Sequence, residues 1–295
     1  MPDKTTDNRN SSAKADFRHK PEWLKIRLPR GFKTKQVIGL LNEKHIHTIC
    51  SSGMCPNRGE CWSAGTATFM IGGNICTRNC KFCNVTSGKP NPLDPNEIQN
   101  IVDSVKSLNL HHVVITSVDR DDLPDYGANH WAAMIRSLKE NCPGVTMEVL
   151  IPDFKGRKDL LDIVIAEHPD VISHNLETVR RLTPDVRTFA TYDNSLGVLK
   201  YLADKGMRTK SGIMLGLGET REEILQVMDD LLSVNCKIMT IGQYLQPTKN
   251  NYPIQEYIHP DVFAEYGRIG KEKGFTHIES APMVRSSYHA EKHVN

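Results

Sequence analysis

The stretch Thr68-Phe-Met-Ile71-Gly72-Gly73-Asn74-Ile75-Cys76-Thr-Arg-Asn-Cys80-Lys-Phe-Cys83 decides how the chain is read. Its short apolar start, ended by two glycines, is predicted to be a buried strand. The glycine pair does not complete a G-x-G-x-x-G nucleotide fingerprint. Nor does the run from Gly212 to Glu219, where Arg221 takes the third glycine's place. A cysteine triplet comes after the strand instead, and a second triplet, Cys50-x4-Cys55-x5-Cys61, precedes it. A structural zinc or a closed iron–sulfur site takes four protein ligands, so each triplet leaves one metal position open.

Outward from that strand, the chain alternates strand and helix. Strands are predicted at His112–Ser117, Thr146–Ile151, Val171–Ser173, Lys210–Leu217 and Ile238–Ile241. Helices are predicted at Glu97–Leu108, Trp131–Lys139, Leu160–Ala166, Asn194–Lys205, Glu222–Leu232 and Pro260–Lys273. About six parallel strands with crossover helices give an α/β fold, a partial (β/α)6 barrel of the TIM type, with a doubly wound sheet as the rival. Polar residues gather just after the strands: Thr116 to Asp122, Pro152-Asp153-Phe154, His174 to Glu177, Gly216 to Thr220 and Gln243 to Thr248. In a barrel these loops share one mouth, where active sites lie, and this favours the barrel.

Upstream, residues 1–20 are polar and read as a mobile tail. Val37, Ile38 and Leu41 suggest a helix leading into Cys50, and Cys50 to Cys61, rich in Ser, Gly, Pro and Asn, reads as a loop. The expected division is a tail at 1–20, an N-terminal extension at 21–61, a core barrel at 62–276 and a C-terminal extension at 277–295.

Length and composition set bounds. The 295 residues can bury a large core, and 37 Lys and Arg against 35 Asp and Glu are too balanced to point to nucleic acid. No apolar run is long enough to span a bilayer, and the first twenty residues lack a secretory core. A soluble, cytoplasmic protein is expected, with no membrane partner. Eight cysteines in a chain of this length, six of them clustered, favour metal over a disulfide framework. Cys142 and Cys236 stand apart and read as ordinary buried thiols.

The spacing Cys76-x3-Cys80-x2-Cys83, with Phe82 before the last cysteine, resembles the radical S-adenosylmethionine (SAM) superfamily. The resemblance implies that these three thiolates hold a [4Fe-4S] cluster whose fourth iron binds S-adenosylmethionine. A structural zinc knuckle is the plainer reading, but no fourth cysteine or nearby histidine completes one. Cys50-Ser-Ser-Gly-Met-Cys55-Pro-Asn-Arg-Gly-Glu-Cys61 resembles the auxiliary-cluster motif of the lipoyl synthase family, and Arg285-Ser-Ser-Tyr-His289 resembles that family's terminal motif. Lys20 to Leu24, Ser117 to Pro124, Glu148 to Gly156, His174 to Leu182 and Gly242 to Pro247 extend the likeness across residues 20–290. The family implies insertion of two sulfur atoms at C6 and C8 of a protein-bound octanoyl-lysine. It also implies a second, sacrificial [4Fe-4S] cluster on Cys50, Cys55, Cys61 and a serine hydroxyl, Ser287 by the motif, with Ser286 not excluded. Implied partners are an octanoylated carrier (glycine-cleavage H protein or 2-oxoacid dehydrogenase E2 type), a ferredoxin or flavodoxin, and a cluster-repair carrier. Gly72-Gly-Asn74 departs from the family, many of whose members place an acidic residue there.

Other candidates are weighed against simpler roles. Asp119, Asp121 and Asp122 can orient a cofactor amine or cap the loop. Asn175 and Glu177 can bind an adenosyl moiety, although Glu177 can equally pair with Arg180 or Arg181. Gly216 and Glu219 resemble a backbone and acidic element beside the adenine and ribose, or form a plain turn. Another sulfur-inserting enzyme of the biotin-synthase type and a non-catalytic iron–sulfur protein are the competing readings. Octanoylated carrier against dethiobiotin separates the first, and absence of S-adenosylmethionine cleavage the second.

Overall fold

In the computed structural model, which describes residues 20–25, 39, 46–52, 55, 57–63 and 65–294, the segment from Cys50 to Cys61 is not all loop. It carries two short helices, Ile49–Ser52 (α1) and Arg58–Ser63 (α2). A local cap starts the first, with Thr48 Oγ1 accepting from Ser51 N–H at 3.2 Å, and a tertiary contact holds the second, where Asn57 at its head donates its amide to Met283 O at 2.7 Å. The expected helix at Val37, Ile38 and Leu41 and residues 1–19 of the expected tail lie outside the described residues.

Seven parallel strands form one sheet: Thr66–Ile71 (β1), His112–Ser117 (β4), Thr146–Leu150 (β5), Val171–Ser173 (β6), Thr209–Leu215 (β7), Ile238–Gln243 (β8) and His277–Ser280 (β9). The short strands Ile75–Cys76 (β2) and Thr86–Ser87 (β3) pair separately across the cysteine loop. Helices Glu97–Ser107 (α3), Ala128–Asn141 (α4), Lys158–Ile165 (α5), Thr183–Val186 (α6), Tyr192–Asp204 (α7), Arg221–Ser233 (α8) and Pro260–Lys273 (α9) fill the crossovers. Six strand–helix units are thus present. The seventh strand, β9, was not expected, because His277-Ile-Glu-Ser280 has one apolar residue and pairs only through its backbone register with β8.

Neighbouring strands succeed one another in chain order from β1 to β9. A doubly wound sheet must reverse its order at a switch point, so that rival is excluded. Among the described residues β1 and β9 are unpaired with each other, which leaves the barrel open on one side. The central strands are apolar on both faces, as Val113, Val114 and Ile115 are, because helices cover one side and the barrel core the other. Helix α3 buries Ile101, Val102 and Val105 on one stripe, and α8 starts with a reciprocal Thr220–Glu223 capping box. No helix of the described residues is long and apolar enough to cross a membrane.

Candidate active site

The cysteine loop leaves β1 through Gly72 and Gly73, at φ +82° and +94°, where a Cβ would be strained. Their amides donate to the Glu97 carboxylate at 2.9 and 3.1 Å, and His130 Nε2 meets the same carboxylate at 2.6 Å. A carboxylate from α3 thus holds the glycine turn that precedes the cysteine loop.

Beyond this turn, Cys76, Cys80 and Cys83 line one cavity of about 600 Å3 at the mouth of the sheet. That volume lies in the usual range for small-molecule sites, roughly 300–1,000 Å3. Burial pushes the Cys76 thiol up to about 12 and Cys83 to about 11, and raises Cys80 as well. Backbone amides are already aimed at the sulfurs: Asp119 and Arg78 donate to Cys76 Sγ at 3.3 and 3.4 Å, and Val85 to Cys83 Sγ at 3.4 Å. Desolvated thiols facing donors and an open cavity suit a cationic metal cluster, which replaces the protons and accepts thiolate charge.

Arg78, inside the triplet, is 6 % exposed and is the hinge of the local electrostatics. Its guanidinium grips Asp121 with a two-point fork at 2.7 and 2.9 Å, donates to Asp153 at 2.8 Å and lies 3.4 Å from Asp119. Burial opposes ionisation of Asp153, yet Arg78 outweighs it and holds the carboxyl down at about 2. Asp119 goes the other way, raised by burial despite Arg78. The three aspartates of the loop are thereby sorted. Asp119 lines the cavity, Asp121 holds Arg78, and Asp122 pairs with Arg120, which donates to Gly72 O at 3.0 Å.

Asn175 and Glu177 line the same cavity. Asn175 is 7 % exposed and its Oδ1 has no hydrogen-bond partner among the described residues, so a donor on a bound molecule would satisfy it. Glu177 is raised by burial, with Arg187 as the opposing charge. It pairs with neither Arg180 nor Arg181, which bind Asp193 and Glu223. Gly216 and Glu219 are not brought to the cavity. The Glu219 carboxylate accepts from Gly216 and Leu217 N–H at 2.6 and 2.9 Å, closing a turn behind the wall residue Gln243.

Cys50, Cys55 and Cys61 line a second, smaller pocket together with Ser287, Tyr288 and Arg285. Ser286 faces the large cavity instead. Two contacts staple the terminal segment to the N-terminal extension: Asn57 to Met283 O, and Tyr288 Oη to Glu60 at 3.1 Å. Burial, with a further push from Cys55, takes Cys50 up to about 11 and Cys61 to about 12. The free volume here is about 10 Å3, the size of one water, so the thiols must part to admit a cluster. The donor set, three crowded thiols and a hydroxyl, fits one. Among the described residues no three His, Cys, Asp or Glu side chains converge on one metal ion, and the thiolates of a cubane need not, since each binds a different iron. All eight cysteines are free, with Cys142 and Cys236 buried in the core.

Arg285 lines both pockets and so stands between the two triplets. Sequence reasoning passed over it and over Arg78. The one hint for each was its position inside or beside a set of cysteines, and that position does not reveal what the cation touches in the fold.

Comparison with known proteins agrees with this geometry. Residues 70–231 match the family model described as Radical SAM superfamily. The chain is 62 % identical over 275 residues to a lipoyl synthase of Treponema denticola, covering 93 % of this chain and 95 % of that one. It is 58 % identical over 280 residues to a lipoyl synthase of Bacteroides thetaiotaomicron, covering 95 % and 99 %. Among solved structures, the fold resembles SuiB of Streptococcus suis bound to S-adenosylmethionine (TM-score 0.60, 12 % identity, 83 % of this chain and 53 % of that one). It also resembles the methylornithine synthase PylB (TM-score 0.56, 13 % identity, 79 % and 72 %). The chain thus spans about half the length of SuiB.

Proposed function

This chain belongs to the lipoyl synthase family of the radical SAM superfamily, and from that premise we propose how its residues divide the work of sulfur insertion. The reaction is the placing of two sulfur atoms at C6 and C8 of an octanoyl group carried on a lysine of a carrier protein. S-adenosylmethionine and a [4Fe-4S] cluster supply a hydrogen-abstracting 5′-deoxyadenosyl radical, and a second [4Fe-4S] cluster supplies the sulfur.

Cys76, Cys80 and Cys83 hold the first cluster. Cys50, Cys55, Cys61 and Ser287 would hold the second, where a serine oxygen, a weaker ligand to iron than a thiolate, would leave that cluster free to give up sulfur. Asp119, Asn175 and Glu177 receive the polar groups of S-adenosylmethionine, while Gly216 and Glu219 keep the wall behind Gln243 in shape. The single observation that carries this reading is the sharing of Arg285 by the two cysteine pockets: one acyl chain in the large cavity can face both. Holding the acyl carbons between the two centres is the protein's contribution, because a free alkyl radical would otherwise take hydrogen from any donor.

The division into tail, N-terminal extension, barrel and C-terminal extension is part of the proposal, as are a ferredoxin or flavodoxin donor and a carrier that rebuilds the second cluster. A cytoplasmic location is also part of the proposal, supported by six clustered cysteines whose spacing suits metal ligation rather than a disulfide framework.

Separate variants test the assignment, with octanoyl-lysine peptide as substrate. Cys76→Ala should abolish S-adenosylmethionine cleavage. Cys50→Ala and Ser287→Ala should retain abortive cleavage and lose lipoyl product. Lipoyl groups formed at the parent rate by Cys50→Ala would remove the second triplet from the reaction.

A further inference from the structure

Inside the barrel, lining neither cysteine pocket, Lys210 on β7 and Glu148 on β5 form an ion pair with no exposure to solvent. The Lys210 ammonium donates to both Glu148 oxygens at 2.9 and 2.8 Å, and Ser173 on β6 donates to the same carboxylate at 2.9 Å. An ammonium has three donors. The third goes to the main-chain carbonyl of Ser286.

That carbonyl belongs to the peptide unit whose nitrogen is Ser287's own. The unit is planar, so holding its oxygen fixes the plane from which Ser287 departs. Farther along, the buried ring of His293 lies 3.7 Å from Glu148, and Arg208, one residue before β7, donates to His293 O at 2.8 Å. The chain is gripped at Ser286 and at His293, on either side of the serine and tyrosine that face the smaller pocket. Were the terminal segment to swing out, the ammonium would keep an unmet donor in the barrel interior, which is costly. A buried pair of this kind adds little stability over apolar residues of equal size, and what it contributes is a defined arrangement.

We propose that Lys210, held by Glu148, is a positioning residue that seats Ser287 at the Cys50, Cys55 and Cys61 pocket. The inference rests on the reading of Ser287 as a cluster ligand, and its test is separable from that reading. Lys210→Met alone strands a buried carboxylate, so the decisive variant is Lys210→Met with Glu148→Leu, which removes both charges and keeps the volume. Hydrogen exchange over residues 284–294 is measured in parent and double variant, alongside S-adenosylmethionine cleavage, lipoyl yield and iron per reconstituted chain.

We expect exchange in that segment to rise about tenfold or more, cleavage to stay within about twofold, and lipoyl yield to fall with the iron content. A double variant whose terminal segment exchanges like the parent's overturns the proposal, as does one that loses cleavage and product in equal measure, the mark of a merely structural pair. A parent that makes no lipoyl product instead removes the sulfur-insertion reading, and the exchange comparison still judges the latch.

Discussion

Arg78 shows how much of the site turns on one side chain. Asp119, Asp121 and Asp153 come from two different loops, and without a shared cation they would repel one another in a poorly hydrated pocket. Burial disfavours the guanidinium's charge, but the three carboxylates outweigh it and raise its pKa. Arg78→Met takes away the one cation these three acids share, leaving only Lys155 near Asp121, and should cost about 3–5 kcal/mol, read as a lower urea midpoint. Arg78→Lys keeps the charge without the two-point fork, so its midpoint should fall between the two. Both should also weaken binding of S-adenosylmethionine, because Asp119 and Asp153 line the cavity proposed to receive it. The cysteines were legible in the sequence because metal chemistry fixes their spacing. Arg78 was not, since its three partners are 41 or more residues away and an arginine between cysteines looks like any other spacer.

At the level of elements, β8 and the terminal segment touch at one critical point. Gly242 lies so close to Val284 that a Cβ there would meet the Val284 carbonyl at 2.1 Å, against a backbone that has no rotamer to change. Gly242→Ala should therefore push Val284 to Ser287 off the strand, at a cost of about 1–3 kcal/mol. Iron bound per reconstituted chain should drop toward that of Ser287→Ala, and an unchanged iron content would mean that the segment yields without losing its ligand. Most elements were legible: His112–Ser117 and Val171–Ser173 were read to the residue, because a run of apolar side chains covered on both faces leaves a clear pattern. β9 and the helices α1 and α2 were not. Backbone pairing with β8 makes β9, and partners more than two hundred residues away hold the segment of α2, as Asn57 is held by Met283 and Glu60 by Tyr288.

For the molecule as a whole, stability should fall in two stages on acidification. His174 is buried between Ile151 O and Ser195 Oγ, each at 3.0 Å, and burial, with Arg187 nearby, holds it down at about 4 against an ordinary 6.5. Between those values the unfolded chain binds a proton that the folded one refuses, so stability declines as pH falls through that window, by up to about 3 kcal/mol. Glu148 and Asp153, both held down at about 2, act with the same sign further down, where their stabilisation is lost as pH falls from about 4.5 toward 2. Asp119 and Glu177, raised by burial, oppose the trend. Urea midpoints at pH 7 and 5 check the first stage, and His174→Gln should flatten it. The sequence alone determined the two cysteine triplets and the barrel class, because residue spacing and hydrophobic periodicity are local and each is set by covalent geometry. Only the tertiary structure decided which serine faces the upstream cysteines, that Glu97 holds the amides of the glycine turn, and that Lys210 reaches Ser286. Those are contacts between segments distant in the chain, and they exist only where packing has already brought the backbone together.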